Sequence, residues 1–215
     1  SYPIDAPEDS DFFDGEKLGL QWQWNANPKD GWYAMQDPGL KLYAQHVKPA
    51  LNQERQLCDV PNLLLQKWPA PEFQITTCLH LQELSDGDTV GLMSQCLHYT
   101  ALVVERANGK YYLRQRTGNW NKADEVLSEK TEWTEDIVYL RMKVSRSEKV
   151  EFAVSSDGQK FVAMGEAEYA SPGRWVGAKA GLFTIHEGSE EKCVQGSVTV
   201  EYFVFEALGG SLWNS

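Results

Sequence analysis

The sequence predicts an all-β fold, a sandwich of two antiparallel sheets. Three observations carry the prediction: apolar and polar residues alternate through most of the chain, turn signals recur at the cadence of short strands, and no long stretch has apolar residues at helical spacing. Strands are expected, in order, over residues 73–81, 89–95, 100–106, 111–117, 137–145, 150–155, 175–184 and 197–206, each with one apolar face. Between 100–106 and 111–117, Asn108-Gly109 signals a type I′ hairpin, because both residues tolerate positive φ. Asp157-Gly158 after 150–155 carries the same signal. Asp86-Gly87-Asp88 makes a tight connection, and Pro172-Gly173 opens the loop before Trp175.

Alternation also says which side chains share a face. Tyr111, Leu113 and Gln115 point one way while Tyr112, Arg114 and Arg116 point the other; Val138, Leu140, Met142 and Val144 turn in, leaving Tyr139, Arg141 and Lys143 outward. In the last strand Val198, Val200, Tyr202 and Val204 oppose Thr199, Glu201, Phe203 and Phe205, so bulk on both faces predicts a central or covered strand. No repeat or composition shift marks a second domain. Residues 1–10 read as a linker, 11–208 as the sandwich and 209–215 as a tail.

With 20 Lys+Arg against 31 Asp+Glu, the net charge of -11 repels a phosphate backbone, which argues against nucleic acid. Composition and patterning also argue against a membrane protein. The acidic, soluble composition favours an extracellular or periplasmic product, although compartment stays open. Residue 1 opens neither with Met nor with a signal-peptide pattern, so an upstream segment is expected to have been removed. Eight Trp and nine Tyr exceed what a core of this size usually needs, and exposed aromatics grip flat sugar faces. The four cysteines, Cys58, Cys78, Cys96 and Cys193, form no CxxC pair, and His46, His80, His98 and His186 lack the spacing of a metal motif. Core or face positions are the expectation for Cys78 and Cys96, with a disulfide left open in an oxidising compartment.

Catalytic chemistry is sparse. Hydrolysis of a glycosidic bond needs two carboxylates within reach of one another, and Glu105, Glu151, Glu201 and Glu206 sit singly in strands. Binding chemistry is denser. Around Trp22, Trp24 and Trp32 stand Gln21, Gln23, Asn25 and Asn27, whose amides offer the paired donors and acceptors that recognise sugar hydroxyls. Trp22 and Trp24 share one side of a strand and are expected in the core; Asn25 and Asn27 read equally as turn residues. Asn62, Gln66 and Lys67 form a second polar set on an apolar run, Gln115 and Lys179 are further candidates, and Trp120, flanked by Asn119 and Asn121, is the expected stacking platform.

Several of these segments, in order, resemble one family. Gln21-Trp-Gln-Trp-Asn-Ala-Asn-Pro28, Pro38-Gly-Leu-Lys-Leu-Tyr43, Ala50-Leu51, Pro61-Asn-Leu-Leu-Leu-Gln-Lys-Trp-Pro-Ala-Pro-Glu-Phe73, Asp86-Gly-Asp88 with Gly91-Leu92, Val138-Tyr-Leu-Arg141 and Gly173-Arg-Trp-Val-Gly-Ala-Lys-Ala-Gly-Leu-Phe183 look like the C-terminal β-sandwich of glycoside hydrolase family 43 β-xylosidases and arabinofuranosidases. That domain is also classed as carbohydrate-binding module family 91. The resemblance implies a concanavalin A-like sandwich, or jelly roll, attached behind a catalytic propeller that this chain does not contain. It therefore implies a non-catalytic module binding xylan or xylo-oligosaccharides, held in one polypeptide with a family 43 catalytic domain.

Two alternatives stay open. In the first the sandwich packs on that propeller and completes its pocket without affinity for glycan, a use to which Asn62 and the run Leu63–Lys67 are equally suited; the second, weaker, is a standalone hydrolase. Concanavalin-like sandwiches also often hold a structural calcium between an N-terminal acid and one in the last strand. The matching positions here are Asp11 and Glu201, with Thr199 where a second Asp is common.

Overall fold

The computed structural model describes residues 9–47, 57–119, 122–170, 177–188 and 196–208. Strands are β1 Gln23–Trp24, β2 Tyr33–Gln36, β3 Gly39–Tyr43, β4 Gln45–His46, β5 Leu64–Lys67, β6 Phe73–His80, β7 Asp88–Gln95, β8 His98–Ala107, β9 Lys110–Asn119, β10 Lys122–Leu127, β11 Thr131–Trp133, β12 Ile137–Val144, β13 Lys149–Ser155, β14 Val162–Tyr169, β15 Lys179–His186 and β16 Ser197–Ala207. The larger sheet has nine strands in the order β1-β5-β15-β7-β8-β9-β10, with β11 added on β9 and β4 on β15; the smaller has seven, ordered β14-β13-β12-β6-β16-β3-β2. Among the described residues every pairing is antiparallel except that of β4 with β15. The remaining regular element among the described residues is a 3₁₀ turn over Leu57–Asp59. No helix among the described residues is long and apolar enough to cross a membrane.

The eight strands expected from alternation correspond to β6, β7, β8, β9, β12, β13, β15 and β16. β15 begins at Lys179, later than expected, and residues 171–176 with the Trp175 start lie outside the described residues. Asn108 (φ 51°) and Gly109 (φ 74°) form the left-handed pair of a type I′ turn, and Ala107 faces Lys110 across it. The Asp157-Gly158 connection differs: only Gly158 has positive φ, and Asp157 Oδ1 accepts the Gln159 and Lys160 N–H groups, so a longer side-chain-capped loop joins β13 to β14.

The core lies between the sheets. Leu79, Val138, Leu140, Met142, Val198 and Val200 of the smaller sheet face Leu64, Val90, Leu92, Leu102 and Leu182 of the larger, all fully buried. Trp22, expected here, is 8 % exposed; it stacks on Phe13, meets Phe203 edge-on at 4.9 Å and donates its indole N–H to Asp11. Strict alternation fails in β16. A bulge between Val200 and Tyr202 places two successive residues, Glu201 and Tyr202, on the outer face and sends Phe203 and Phe205 to the core, the reverse of the expected face for Tyr202. β16 is central, between β6 and β3, as its two bulky faces require.

Candidate functional site

Outward-facing residues of β15 are not free to meet a ligand over most of the larger sheet. Phe183 and Ile185 join Leu63, Leu65, Met93, Ala101 and Val103 in a second apolar cluster, packed beneath Val47, Leu57 and Val60. Two glycines make room for it: a Cβ at Gly91 would stand 2.6 Å from the Phe183 ring, and one at Gly118 2.5 Å from the Tyr99 hydroxyl. With the centre closed, the two ends of this face remain.

At one end, strand register aligns Lys67, Lys179 and Gln95 across β5, β15 and β7. Lys67 is exposed and Lys179 half-buried, and among the described residues neither ammonium has a carboxylate partner. Like charges on directly opposed strand positions repel, so this pair gains from an acceptor arriving from outside. β9 ends at Asn119 on the same end of the sheet. Trp120, the expected platform, lies outside the described residues.

The other end is a charged cleft of about 290 Å³, lined among others by Thr89, Glu105, Arg114, Arg116, Lys130 and Glu187. Arg116 anchors it. Its guanidinium, 5 % exposed, reaches Glu125 at 2.7 Å and both oxygens of Glu187 at 2.9 and 3.0 Å. Tyr99 donates to the far oxygen of Glu125 at 2.6 Å and Thr89 donates to Glu187. Burial acts to lower the Arg116 pKa, and the charges of Glu187 and Glu125 outweigh it, holding the guanidinium above its ordinary value. Glu105 is similarly held between Arg114 and Lys130. The sequence signal for this network was the outward phase of Arg114 and Arg116; its carboxylate partners come from distant segments. Glu125 and Glu187 are two carboxylates brought together, yet both converge on one guanidinium, and their oxygens are taken up as acceptors of its N–H groups and of the Tyr99 and Thr89 hydroxyls.

The remaining candidates scatter. Trp32 is 5 % exposed and packs edge-on against Trp24 at 5.3 Å, and the Tyr33 ring lies 5.5 Å from Trp24; together they join β1 to β2. Asn25 and Asn27 are exposed, and the Asn25 amide donates to Val60 O while its backbone N–H donates to Leu63 O, the turn role. Asn62, 4 % exposed, donates to Thr184 O and leaves its own Oδ1 buried without a partner. Gln66, 2 % exposed, donates to Asp9 O. Gln115 spans the sandwich: its amide nitrogen donates to Thr100 Oγ1 and Glu166 O, and its oxygen accepts the Glu166 N–H. Buried amides with backbone partners are fasteners between elements, and the structure gives Trp32, Asn62, Gln66 and Gln115 no open face for a sugar.

The two acids matched to a calcium site point to different neighbours. Asp11 accepts the Phe13 N–H and the Trp22 indole, each at 2.8 Å, while its backbone pairs with Phe203. Glu201 faces the outer side of the smaller sheet, 2.9 Å from His80 Nε2 and 3.5 Å from Cys78 Sγ. Calcium takes roughly six to eight oxygen ligands. N–H donors around one acid and a thiol with an imidazole around the other do not fit it. Burial, with Glu201 alongside, pushes the Cys78 thiol up to about 12.

Comparison with known proteins places this arrangement. Residues 10–206 match the family model of the β-xylosidase C-terminal concanavalin A-like domain of glycoside hydrolase family 43. A β-xylosidase of Formosa agariphila is 26 % identical over 97 % of this chain, which spans 36 % of that relative's length. Among solved structures, a bifunctional family 43 enzyme with a CE part from Bacteroides eggerthii superposes with a TM-score of 0.78 at 23 % identity, over 93 % of this chain and 26 % of its own. An engineered family 43 hydrolase described as both endo-xylanase and exo-arabinofuranosidase gives 0.79 at 19 % identity, over 94 % of this chain and 41 % of its own.

Proposed function

This chain belongs to the family of β-xylosidase C-terminal concanavalin A-like domains, and from that premise we propose that it is a non-catalytic accessory module that binds xylan or xylo-oligosaccharides beside a family 43 catalytic domain. The observation that carries the reading is the row of Lys67 and Lys179, two lysines paired across β5 and β15 at the open end of an otherwise plugged face, with no carboxylate partner among the described residues, while Gln95 beside them on β7 is buried. A sugar chain lying along this row accepts hydrogen bonds from the ammonium groups through its hydroxyl oxygens, and Trp120 supplies the stacking face. Affinity per site is modest, and tethering to the enzyme turns it into a raised local concentration of polysaccharide.

Calorimetry of the chain against xylan, arabinoxylan and xylo-oligosaccharides, with mannan and cellulose as controls, tests the reading. Saturable xylan binding without sugar release, lost in Lys67→Ala/Lys179→Ala and weakened in Trp120→Ala, is the expected result. Sugar release by the chain, or binding indifferent to these substitutions, overturns it.

A second reading has its own support. Val126 and Leu127 on β10 are 64 % and 47 % exposed, and Leu127 lines the rim of the charged cleft. An exposed leucine on an ion-paired rim, with an exposed valine turned to the other face of the same edge strand, is the pattern of a protein interface, here with the catalytic domain. Under this reading no glycan binds the isolated chain, and Leu127→Asp weakens capture of a separately expressed propeller.

A further inference from the structure

We propose that Cys78, His80 and Glu201 form a binding site for a zinc ion on the outer face of the smaller sheet. Cys78 and His80 lie two residues apart on β6, so the pleat turns both to one side. The third ligand comes from the neighbouring strand. Across the β6–β16 ladder Leu79 faces Val200 and Cys78 faces Tyr202, which leaves Glu201 as the unpaired residue of the bulge, with its carboxylate beside the two β6 side chains. The thiol, imidazole and carboxylate atoms all lie within 4.8 Å of one another.

Two of these spacings are near what zinc requires, and rotation of the exposed His80 side chain can adjust the third, Cys78 to His80. Bonds of about 2.3 Å to sulfur and 2.0 Å to nitrogen or oxygen in a tetrahedron set neighbouring ligand atoms about 3.3–3.6 Å apart. The Cys78–Glu201 separation of 3.5 Å already matches, and the His80–Glu201 contact of 2.9 Å must open by a few tenths of an ångström. A sulfur, nitrogen and oxygen set is also the chemistry of zinc and its neighbours, where calcium and magnesium take oxygen alone. The nearby Arg141 guanidinium is occupied, lying 3.5 Å from the Phe161 ring centroid and donating to Thr76, so it is not spent on the Glu201 carboxylate. Glu201 and His80 are 48 % and 31 % exposed at their side chains, which opens the fourth coordination position to water.

On binding, the Cys78 S–H bond breaks, its proton leaves to solvent and a sulfur–zinc bond forms, while His80 and Glu201 contribute lone pairs. No electron changes hands. The ion then ties together β6 and β16, the adjacent strands at the middle of the smaller sheet.

The test is titration of the chelator-stripped chain with Zn²⁺ in competition with a chromogenic zinc indicator, and with Co²⁺ followed by absorption. One Zn²⁺ per chain with micromolar or tighter affinity is expected, together with thiolate-to-cobalt charge-transfer absorption. Cys78→Ser, His80→Gln and Glu201→Gln each weaken binding at least tenfold, and Cys96→Ser leaves it unchanged. Because Cys78 is buried and its replacement can affect folding, the exposed Glu201→Gln gives an independent reading. Absence of stoichiometric binding, cobalt spectra without a sulfur band, or affinity unaltered in Glu201→Gln and His80→Gln overturns the proposal.

Discussion

Replacing Trp22 with Ala removes the side chain that closes the N-terminal corner of the sandwich. Trp22 stacks on Phe13 at 6.0 Å, meets Phe203 edge-on and satisfies Asp11 through its indole N–H. Truncation of a buried Trp costs about 3–5 kcal/mol through lost transfer energy and the cavity left behind. Asp11 also loses a 2.8 Å donor while keeping the Phe13 N–H, and Gln21 at 3.4 Å is a poor substitute. In a domain of this size each kcal/mol moves the melting temperature by about 2–4 °C, so a fall of about 6–20 °C is expected by circular dichroism. Trp22→Phe retains the ring contact and loses the indole donor; its expected cost is about 1–2 kcal/mol. A double-mutant cycle of Trp22→Phe with Asp11→Ala should then show coupling of about 1 kcal/mol. An Ala variant melting within about 2 °C of the parent would refute the core assignment, and zero coupling would refute the role given to Asp11.

Two further outcomes follow from the electrostatics. Arg116→Met leaves Glu125, whose side chain is 7 % exposed, without its cation and should cost about 3 kcal/mol in urea unfolding; adding Glu125→Gln should recover part of that, and a neutral single substitution would show the network to be idle. Asp157 is held near pKa 2 by the Lys160 and Gln159 backbone N–H groups and Ser155. Since this is below its ordinary value of 3.8, its contribution to stability is present above pH 4 and lost as the pH falls toward 2, and carboxyl NMR should find its midpoint near 2 in the folded chain.

The central strands were legible because each is long: β12 and β13 bury one face and show a clean two-residue period, while β7, β8 and β15 are buried on both faces and read as nearly continuous apolar runs between turn signals. β1, β4 and β11 are only two or three residues long, and β14, Val-Ala-Met-Gly-Glu-Ala-Glu-Tyr, is an exposed edge with no buried face to impose alternation. At the functional level, residue type alone misdirected. An amide such as Gln115 or Asn62 has the same donor and acceptor whether it meets a sugar or the backbone of another strand, and only the topology shows that Glu166, in the opposing sheet, is within reach of Gln115 and Thr184, in the same sheet, within reach of Asn62. The Arg116 network was hidden for the complementary reason: the outward phase was readable, but Glu125 and Glu187 lie 9 and 71 residues away.

The bulge at Glu201 separates what the fold needs from what it merely carries. Val200 faces Leu79, Tyr202 faces Cys78 and Phe203 faces Thr77, so the ladder runs in continuous register on both sides of Glu201 and skips it. Val200 and Phe203 are both fully buried, and removing Glu201 would leave Val200 in, Tyr202 out and Phe203 in, the regular alternation of an unbulged strand. Deletion of one residue from a central strand ordinarily turns every later side chain to the wrong face. Here the deletion should close the bulge, keep Phe203 and Phe205 in the core, and yield a chain melting within about 8 °C of the parent, a cost of about 1–2 kcal/mol. Deleting Val204 instead, beyond the bulge, should prevent folding. If the Glu201 deletion also failed to fold, the bulge would be part of the twist that lets the sheets pack; if it folds, an extra residue sits in the middle of the smaller sheet at the point where its carboxylate meets a buried thiol and an imidazole, and its reason for being there is chemical.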